Sequence, residues 1–328
     1  MPSLFQPKLL NGHYGDPVVE LSLFGKSFSY LIDLGEISSL TNRSILKIKR
    51  VFVSHPHMDH FFGFDKLLRI FLGKEKTVHI YGPDGIIKCV EGKLNGYIWN
   101  LVHNYKNNLK FVVYEIHPRS SIIAEFLCRE KFKKRIIGRE KRKSNIIVEE
   151  DDHIVKCEIL EHRIPSLCFM FEEKFKINIL KNKLIEAGFE VGPWLKNLKQ
   201  LIYENKLNEG IIYKGKKFLV KDLKDKITKI TEGKKIAYIT DLIFSKKNLQ
   251  KIKKLGNSVS ILYIETTFSN KYAKRARERY HLTARQAGYI ARMINAKKVI
   301  PIHISPIHSG NFHQIRRELE NEWKKRNS

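Results

Sequence analysis

The chain has 328 residues, 42% of them hydrophobic, with 61 lysines and arginines against 34 aspartates and glutamates, a formal net charge of +27. That is apolar content for one large domain or two ordinary ones, under a surface field that draws polyanions such as nucleic acid or an anionic membrane. No apolar run approaches the roughly 18 residues a membrane span needs, MPSLFQPKLL does not read as a signal peptide, and Cys89, Cys128, Cys157 and Cys168 are scattered without a C-x-x-C, so a reducing, cytoplasmic setting is expected.

In chain order, VVELSLFG and FSYLID read as strands joined by a Gly-Lys turn, with Asp33 ending the second. The strand VFVS runs into SHPHMDH, residues 54–60. FFGFDKLLRIFLG has helical spacing and stops at Gly73; TVHIYGP is a strand, and a helix is expected from Asp84. FVVYEIH alternates, and KCEILEH delivers His162 at a strand end, followed by the apolar LCFMFEE. Residues 174–233 are lysine-rich and broken by Gly188, Gly192, Pro193, Gly210 and Gly215, which predicts an excursion with small helices and a hairpin but no second core. The organisation expected is thus one domain over 1–328 with that excursion. KIAYITD places Asp241 at a strand end and SILYIETTF does so for Glu265. HLTARQAGYIARMI is a helix whose face is read as Leu282, Gln286, Tyr289, Ile290 and Met293; KKVIPIHIS is a strand carrying His303, and FHQIRRELENEW is a closing helix. Strands followed by helices, with ligand-type residues at strand ends, describe a layered α/β fold with a site along one edge.

The stretch 54–60 carries the chemistry. On extended backbone His55 and His57 point the same way, and a turn then lets Asp59 and His60 face a second point. His55, His57 and His162 make a three-histidine metal site, and Asp59, His60 and His303 a neighbouring one, with the carboxylate of Asp241 able to bridge them. Two such ions hold a hydroxide and stabilise an in-line displacement with no serine or cysteine nucleophile. His281 reads either as a surface cap or as a general acid oriented by Glu265.

SHPHMDH resembles the HxHxDH motif of the metallo-β-lactamase superfamily. One branch, ribonuclease Z, is resembled more widely: in LIDLGE (31–36), IYGP (80–83), EHRIPS (161–166), VGPWLKNLK (191–199), ITD (239–241), ETTF (265–268), HLTARQA (281–287) and HIS (303–305). The resemblance implies an αββα sandwich, two zinc ions, phosphodiester hydrolysis of tRNA precursors, and often a homodimer. It implies Asp59 as proton acceptor, His281 as proton donor and Glu265 as its orienter. Mn²⁺ or Fe²⁺ suits the same ligands. Three segments depart from the family: NGHYGDPVVEL replaces a Pro-x-Lys-x-Arg-Asn type loop, ISSL follows DLGE, and PIHSG follows HIS.

Charge bunches twice. REKFKKRIIGREKRK (129–143) holds nine basic residues and reads as a solvated hairpin. KYAKRARER (271–279) leads into His281, so Lys271, Lys274, Arg275 and Arg277 are the candidates for phosphate contact. Trp194, Tyr203 and Tyr213 of the excursion read either as RNA-gripping aromatics or as a small core. The leading reading is an endoribonuclease on tRNA 3′ ends; a hydrolase of a small phosphodiester or ester, and a metal-bound RNA-binding protein, are the alternatives.

Overall fold

The computed structural model describes residues 3–325, which divide into two compact units: residues 3–172 with 234–325, and residues 173–233. The first unit holds two sheets. Eight strands, β1 (Phe5–Leu9), β2 (Val19–Leu23), β3 (Ser29–Ile32), β4 (Ile48–Phe52), β5 (Lys76–Pro83), β6 (Leu109–Ile116), β7 (Ser120–Leu127) and β8 (Lys134–Lys141), lie in sequence order. The run from β3 to β6 is parallel and both flanks are antiparallel. The second sheet contains β9 (Ile146–Glu149), β10 (His153–His162) and β11 (Ile164–Glu173). The second unit contributes two small pairs, β12 (Lys176–Ile179) with β15 (Thr228–Thr231), and β13 (Gly210–Tyr213) with β14 (Lys216–Leu219). Then β16 (Lys235–Ile239), β17 (Ile261–Glu265) and β18 (Val299–Ile302) complete the second sheet in the order β18-β17-β16-β11-β10-β9.

Period-two alternation sorts the side chains into layers. Tyr30, Ile32 and Phe52 of the first sheet and Phe169, Phe171 and Tyr238 of the second fill one core between the sheets. Phe52 stacks on Tyr81 at 5.0 Å and meets the edge of Phe171 at 5.0 Å. Their neighbours face outward: Leu31 and Val51 pack under helices 64–71 and 86–95, and Met170 and Ala237 under helices 246–255 and 284–293. Helix, sheet, sheet, helix is the αββα sandwich.

Two expectations are corrected. The helix after His281 spans Ala284–Met293, with Thr283 outside it as N-cap in a reciprocal capping box with Gln286. Its buried face is Ala284, Ala287, Gly288, Ile290 and Ala291, whereas Tyr289 is exposed. Small residues let helix Phe312–Trp323 come so close that a side chain on Gly288 would strike the Leu319 carbonyl. The unit 173–233 does have a core of its own: Leu184, Leu198, Ile202, Val220 and Ile227 are buried there, and Trp194 and Tyr213 close over Phe189 at 5.4 and 5.1 Å. The first basic stretch forms the edge strand β8, where Lys134 and Arg135 pair with Glu91, Glu125 and Glu130, while in the acidic run after it Glu150 pairs with Arg50 and Asp152 with Lys26. Charge on an edge strand also discourages pairing with other chains.

Candidate active site

The site forms where strands of both sheets end, and the backbone there is unusual. Asp33, Asp241 and His303, just past β3, β16 and β18, have φ of 57°, 50° and 55°. A non-glycine residue in this left-handed region costs of order 1–3 kcal/mol and persists only where its surroundings over-determine it. They do so here. The Asp33 carboxylate accepts from Ser54 N (2.6 Å), Ser54 Oγ (2.9 Å) and the Tyr238 hydroxyl (2.6 Å), and holds His60 Nδ1 at 2.7 Å. Gly35 and Gly63 let the chain fold this tightly: a side chain on Gly35 would lie 2.5 Å from the Asp59 carbonyl oxygen.

His55, His57 and His162 converge so that one ring nitrogen of each lies within 4.8 Å of the others, and Asp59, His60 and His303 do the same beside them. Asp241 stands between the groups, its carboxylate 3.1 Å from His60 Nε2, 3.6 Å from His162 Nε2 and 3.6 Å from His303 Nδ1. Asp59 Oδ2 is 3.1 Å from His303 Nε2. All seven residues expected as ligands therefore meet.

The protonation pattern bears on what this cluster can bind. His60 Nδ1 is engaged by Asp33 and His162 Nδ1 by the Tyr280 carbonyl at 2.8 Å, which leaves Nε2 of each ring for another partner. Among the described residues, His60 Nε2 and His303 Nδ1 are buried with no hydrogen-bond partner. His55 Nε2 and His57 Nδ1 face one another at 2.8 Å. Burial, helped by the charge of His60, pushes His55 down to about 2, and burial lowers His57 also, so both rings are neutral and able to donate a lone pair. Burial opposes protonation of His60 too, but Asp33 and Asp241 lift its pKa above the ordinary value. Buried carboxylates that draw protons onto their neighbours, beside imidazole nitrogens that face Asp241 without a well-formed hydrogen bond, fit a divalent cation in this donor set.

His281 and Glu265 are also drawn in. Glu265 is fully buried at the end of β17 and accepts from Leu242 N (2.9 Å) and Thr267 Oγ1 (2.6 Å), while its Oε2 holds His281 Nδ1 at 2.8 Å. His281 lies 3.2 Å from Asp241. Burial opposes its protonation, yet Glu265 and then Asp241 lift it to about 9. It is a partly buried partner of Glu265 that faces both groups of candidate ligands, and the capping role belongs to Thr283.

A family model described as Metallo-beta-lactamase superfamily matches residues 25–85. The ribonuclease Z of Anoxybacillus flavithermus is 30% identical over 293 residues, covering 87% of this chain and 79% of that protein. The ribonuclease Z of Lactobacillus acidophilus is 30% identical over 303 residues, covering 90% of this chain and 82% of the relative. The chain belongs to the ribonuclease Z family. It is accordingly a metal-dependent hydrolase of the endoribonuclease class. The solved structure of human tRNase Z, short form, is similar in fold, with a TM-score of 0.51 at 17% identity over 93% of each chain.

Within that family frame, the ligand cluster opens into two hollows that share Asp59, Arg279, His281 and His303. The larger, about 610 Å³, adds His57, His162, Arg163 and Asp241. The smaller, about 310 Å³, adds Tyr14, Asp16, Phe268 and Arg275. Of the four basic residues expected to contact substrate, only Arg275 lines one of these two hollows; Lys274 and Arg277 are exposed on the short helix Ala273–Arg279, and Lys271 is exposed on the 3-10 turn before it. Arg163 and Arg279 were not among the expected contacts. Arg163 follows His162 with φ of 58°, donates to the Glu278 carbonyl at 2.6 Å and lies over the Tyr280 ring. Its place directly after a ligand histidine was the available signal. Gly63, Phe64 and His308 serve packing: Phe64 is core, and buried His308 accepts from Ser269 N at 3.2 Å. Cys168 is buried in the outer core of the second sheet.

Proposed function

We propose that the protein is a zinc-dependent endoribonuclease that cuts tRNA precursors at the 3′ end, with two ions per chain. The observation that carries the reading is the His281–Glu265 pair, 2.8 Å apart, set against Asp241 in a member of the ribonuclease Z family. His55, His57 and His162 would hold one ion, Asp59, His60 and His303 the other, and Asp241 would serve both. When bound, such ions lower the pKa of water toward neutrality and stabilise charge on phosphoryl oxygens. Asp59, with a side chain 40% exposed, would take the proton of the attacking water. His281, whose protonation Glu265 favours, would give a proton to the leaving oxygen, a contribution of about 10²- to 10⁴-fold. Arg163, Arg275 and Arg279 orient the phosphates. The homodimer belongs to the same reading and is measured by light scattering.

One observation favours a small-molecule phosphodiester instead: residues 10–17, LNGHYGDP, bring no cation to the hollow they line. The test is incubation with a tRNA precursor bearing a 3′ trailer beside a small chromogenic phosphodiester. A single cut at the trailer junction is expected. Turnover of the small diester with the precursor left whole would overturn the RNA reading.

A further inference from the structure

The loop before β2 departs from the family and is nevertheless tightly built. Leu10 N donates to the Val18 carbonyl at 3.0 Å and closes its base. The Asn11 amide donates to the carbonyls of Asp16 and Glu36, both at 2.7 Å, tying the loop to the turn after β3. His13 stacks on Phe312 at 4.4 Å, and its carbonyl accepts from Ile304 N at 2.9 Å. The Tyr14 hydroxyl donates to the His308 carbonyl at 3.0 Å. These contacts clamp the loop against the segment that carries His303.

What the clamped loop presents is a carboxylate. Asp16 lines the smaller hollow together with Arg275 and Arg279. Its Cβ and the Asp59 carbonyl oxygen both crowd Gly35, at 2.6 and 2.5 Å from where a side chain would begin, so Asp16 sits beside the ligand cluster. Among the described residues its carboxylate has neither a hydrogen bond nor an ion pair. A half-buried acceptor-only group asks for a donor, and it repels phosphate. The hollow therefore offers two kinds of group: its arginines suit the phosphates, and Asp16 suits an uncharged hydroxyl or amino group. Next to a phosphodiester the nearest such donor is a ribose hydroxyl; base edges lie farther off. Tyr14, Phe268, Ile304 and Pro306 supply the apolar contact a nucleoside needs.

We propose that this hollow seats a nucleoside flanking the cleaved bond, and that Asp16 selects ribose by accepting a hydrogen bond from its 2′-hydroxyl. The inference rests on the ribonuclease reading above and adds a residue that tells RNA from DNA at one position. The 2′-hydroxyl, donor and acceptor at once, is the group by which a protein makes that distinction.

The experiment uses the zinc-loaded full chain and precursors carrying a single 2′-deoxy nucleotide on either side of the cut. kcat/KM is measured for the parent and for D16N, whose side chain keeps the shape and loses the charge. The readout is the deoxy penalty in the parent divided by the penalty in D16N. Each penalty is a ratio within one enzyme preparation, so a partly folded variant does not distort it. At one of the two positions this quotient should be about 5- to 10-fold, the difference between a hydrogen bond to a charged group and the weaker one that the amide oxygen of D16N can still accept. A quotient near one at both positions, with the precursor still cut by the parent, overturns the role of Asp16 and leaves the ribonuclease reading standing. A parent that turns over the chromogenic diester but cuts no RNA overturns both.

Discussion

The reacting centre and the unit 173–233 are held together by opposite means. In the centre nearly every functional side chain is fixed by a polar partner that does not itself face the hollow: Asp33 by Ser54 and Tyr238, His162 by the Tyr280 carbonyl, His281 by Glu265. The backbone there is strained at Asp33, Asp241 and His303. The unit 173–233 rests on apolar burial around Leu184, Leu198 and Ile227, with lysines outside it. A polar network fixes atoms closely, and losing one member leaves others uncompensated. A small apolar core fixes a shape and tolerates change at its surface. Substitutions in the two regions should therefore fail differently.

The sharpest break comes at the residue shared by both ligand groups. Asp241→Ala should lose most of both ions and all measurable turnover, whereas His55→Ala and His303→Ala each lose part of the metal, from different groups. Elemental analysis after zinc loading reads this directly. A parent that takes up no metal when resupplied with zinc would sink the assignment of all seven ligands. Next in size is His281→Ala, expected to keep its metal and lose about 10²- to 10⁴-fold in kcat where chemistry is limiting. Glu265→Gln should follow in the same direction at about 10- to 100-fold, the usual cost of losing a group that orients another. Full activity in His281→Ala would leave that ring without a catalytic part.

How much of this was legible in the sequence follows from the same contrast. That SHPHMDH, Asp241 and His303 would meet was readable because these candidate ligands occupy strand ends, and period-two alternation locates strand ends. The closing helix was readable because its apolar residues recur at helical spacing, and it spans Phe312–Trp323. The face of helix Ala284–Met293 was misread because its contact is made by alanine and glycine, which hydrophobic patterning underweights and close packing requires. The core of 173–233 was hidden because its apolar residues are spread over short elements separated by lysines. Asp16 and Arg279 could not be found by spacing at all. What makes them line one hollow is a contact between a loop near the start of the chain and a turn some 260 residues later.

The two regions can also be separated physically. β11 and β16 are antiparallel neighbours, with Glu172 opposite Lys235. The unit 173–233 thus stands where a hairpin turn would otherwise close those strands. Replacing residues 173–234 by Asn-Gly, a two-residue turn suited to antiparallel strands, should leave a chain that folds, binds metal and hydrolyses the chromogenic diester within about twofold of the parent. Under the RNA reading, affinity for the precursor should fall about tenfold or more at low salt, because basic surface is lost. Equal precursor affinity in the shortened chain would restrict RNA binding to the first unit.

The smallest expected effect separates residues that the sequence grouped together. Lys271, Lys274, Arg275 and Arg277 sit within one charged stretch, but only Arg275 lines one of the two hollows, where its guanidinium lies over the Phe268 ring at 5.7 Å. Lys274→Ala should remove at most one phosphate contact. The slope of log affinity against log salt should then fall by about 1, with kcat and the small-diester reaction unmoved. Arg275→Ala should change the slope by a similar amount and in addition raise KM for a short substrate that reaches no farther than the hollow. An exposed lysine acts through the field alone, and salt screens that field; an arginine fixed over a ring also positions what it binds. If both substitutions move only the salt slope, Arg275 is one more surface charge, and the phosphate must be oriented by Arg279 or Arg163 instead.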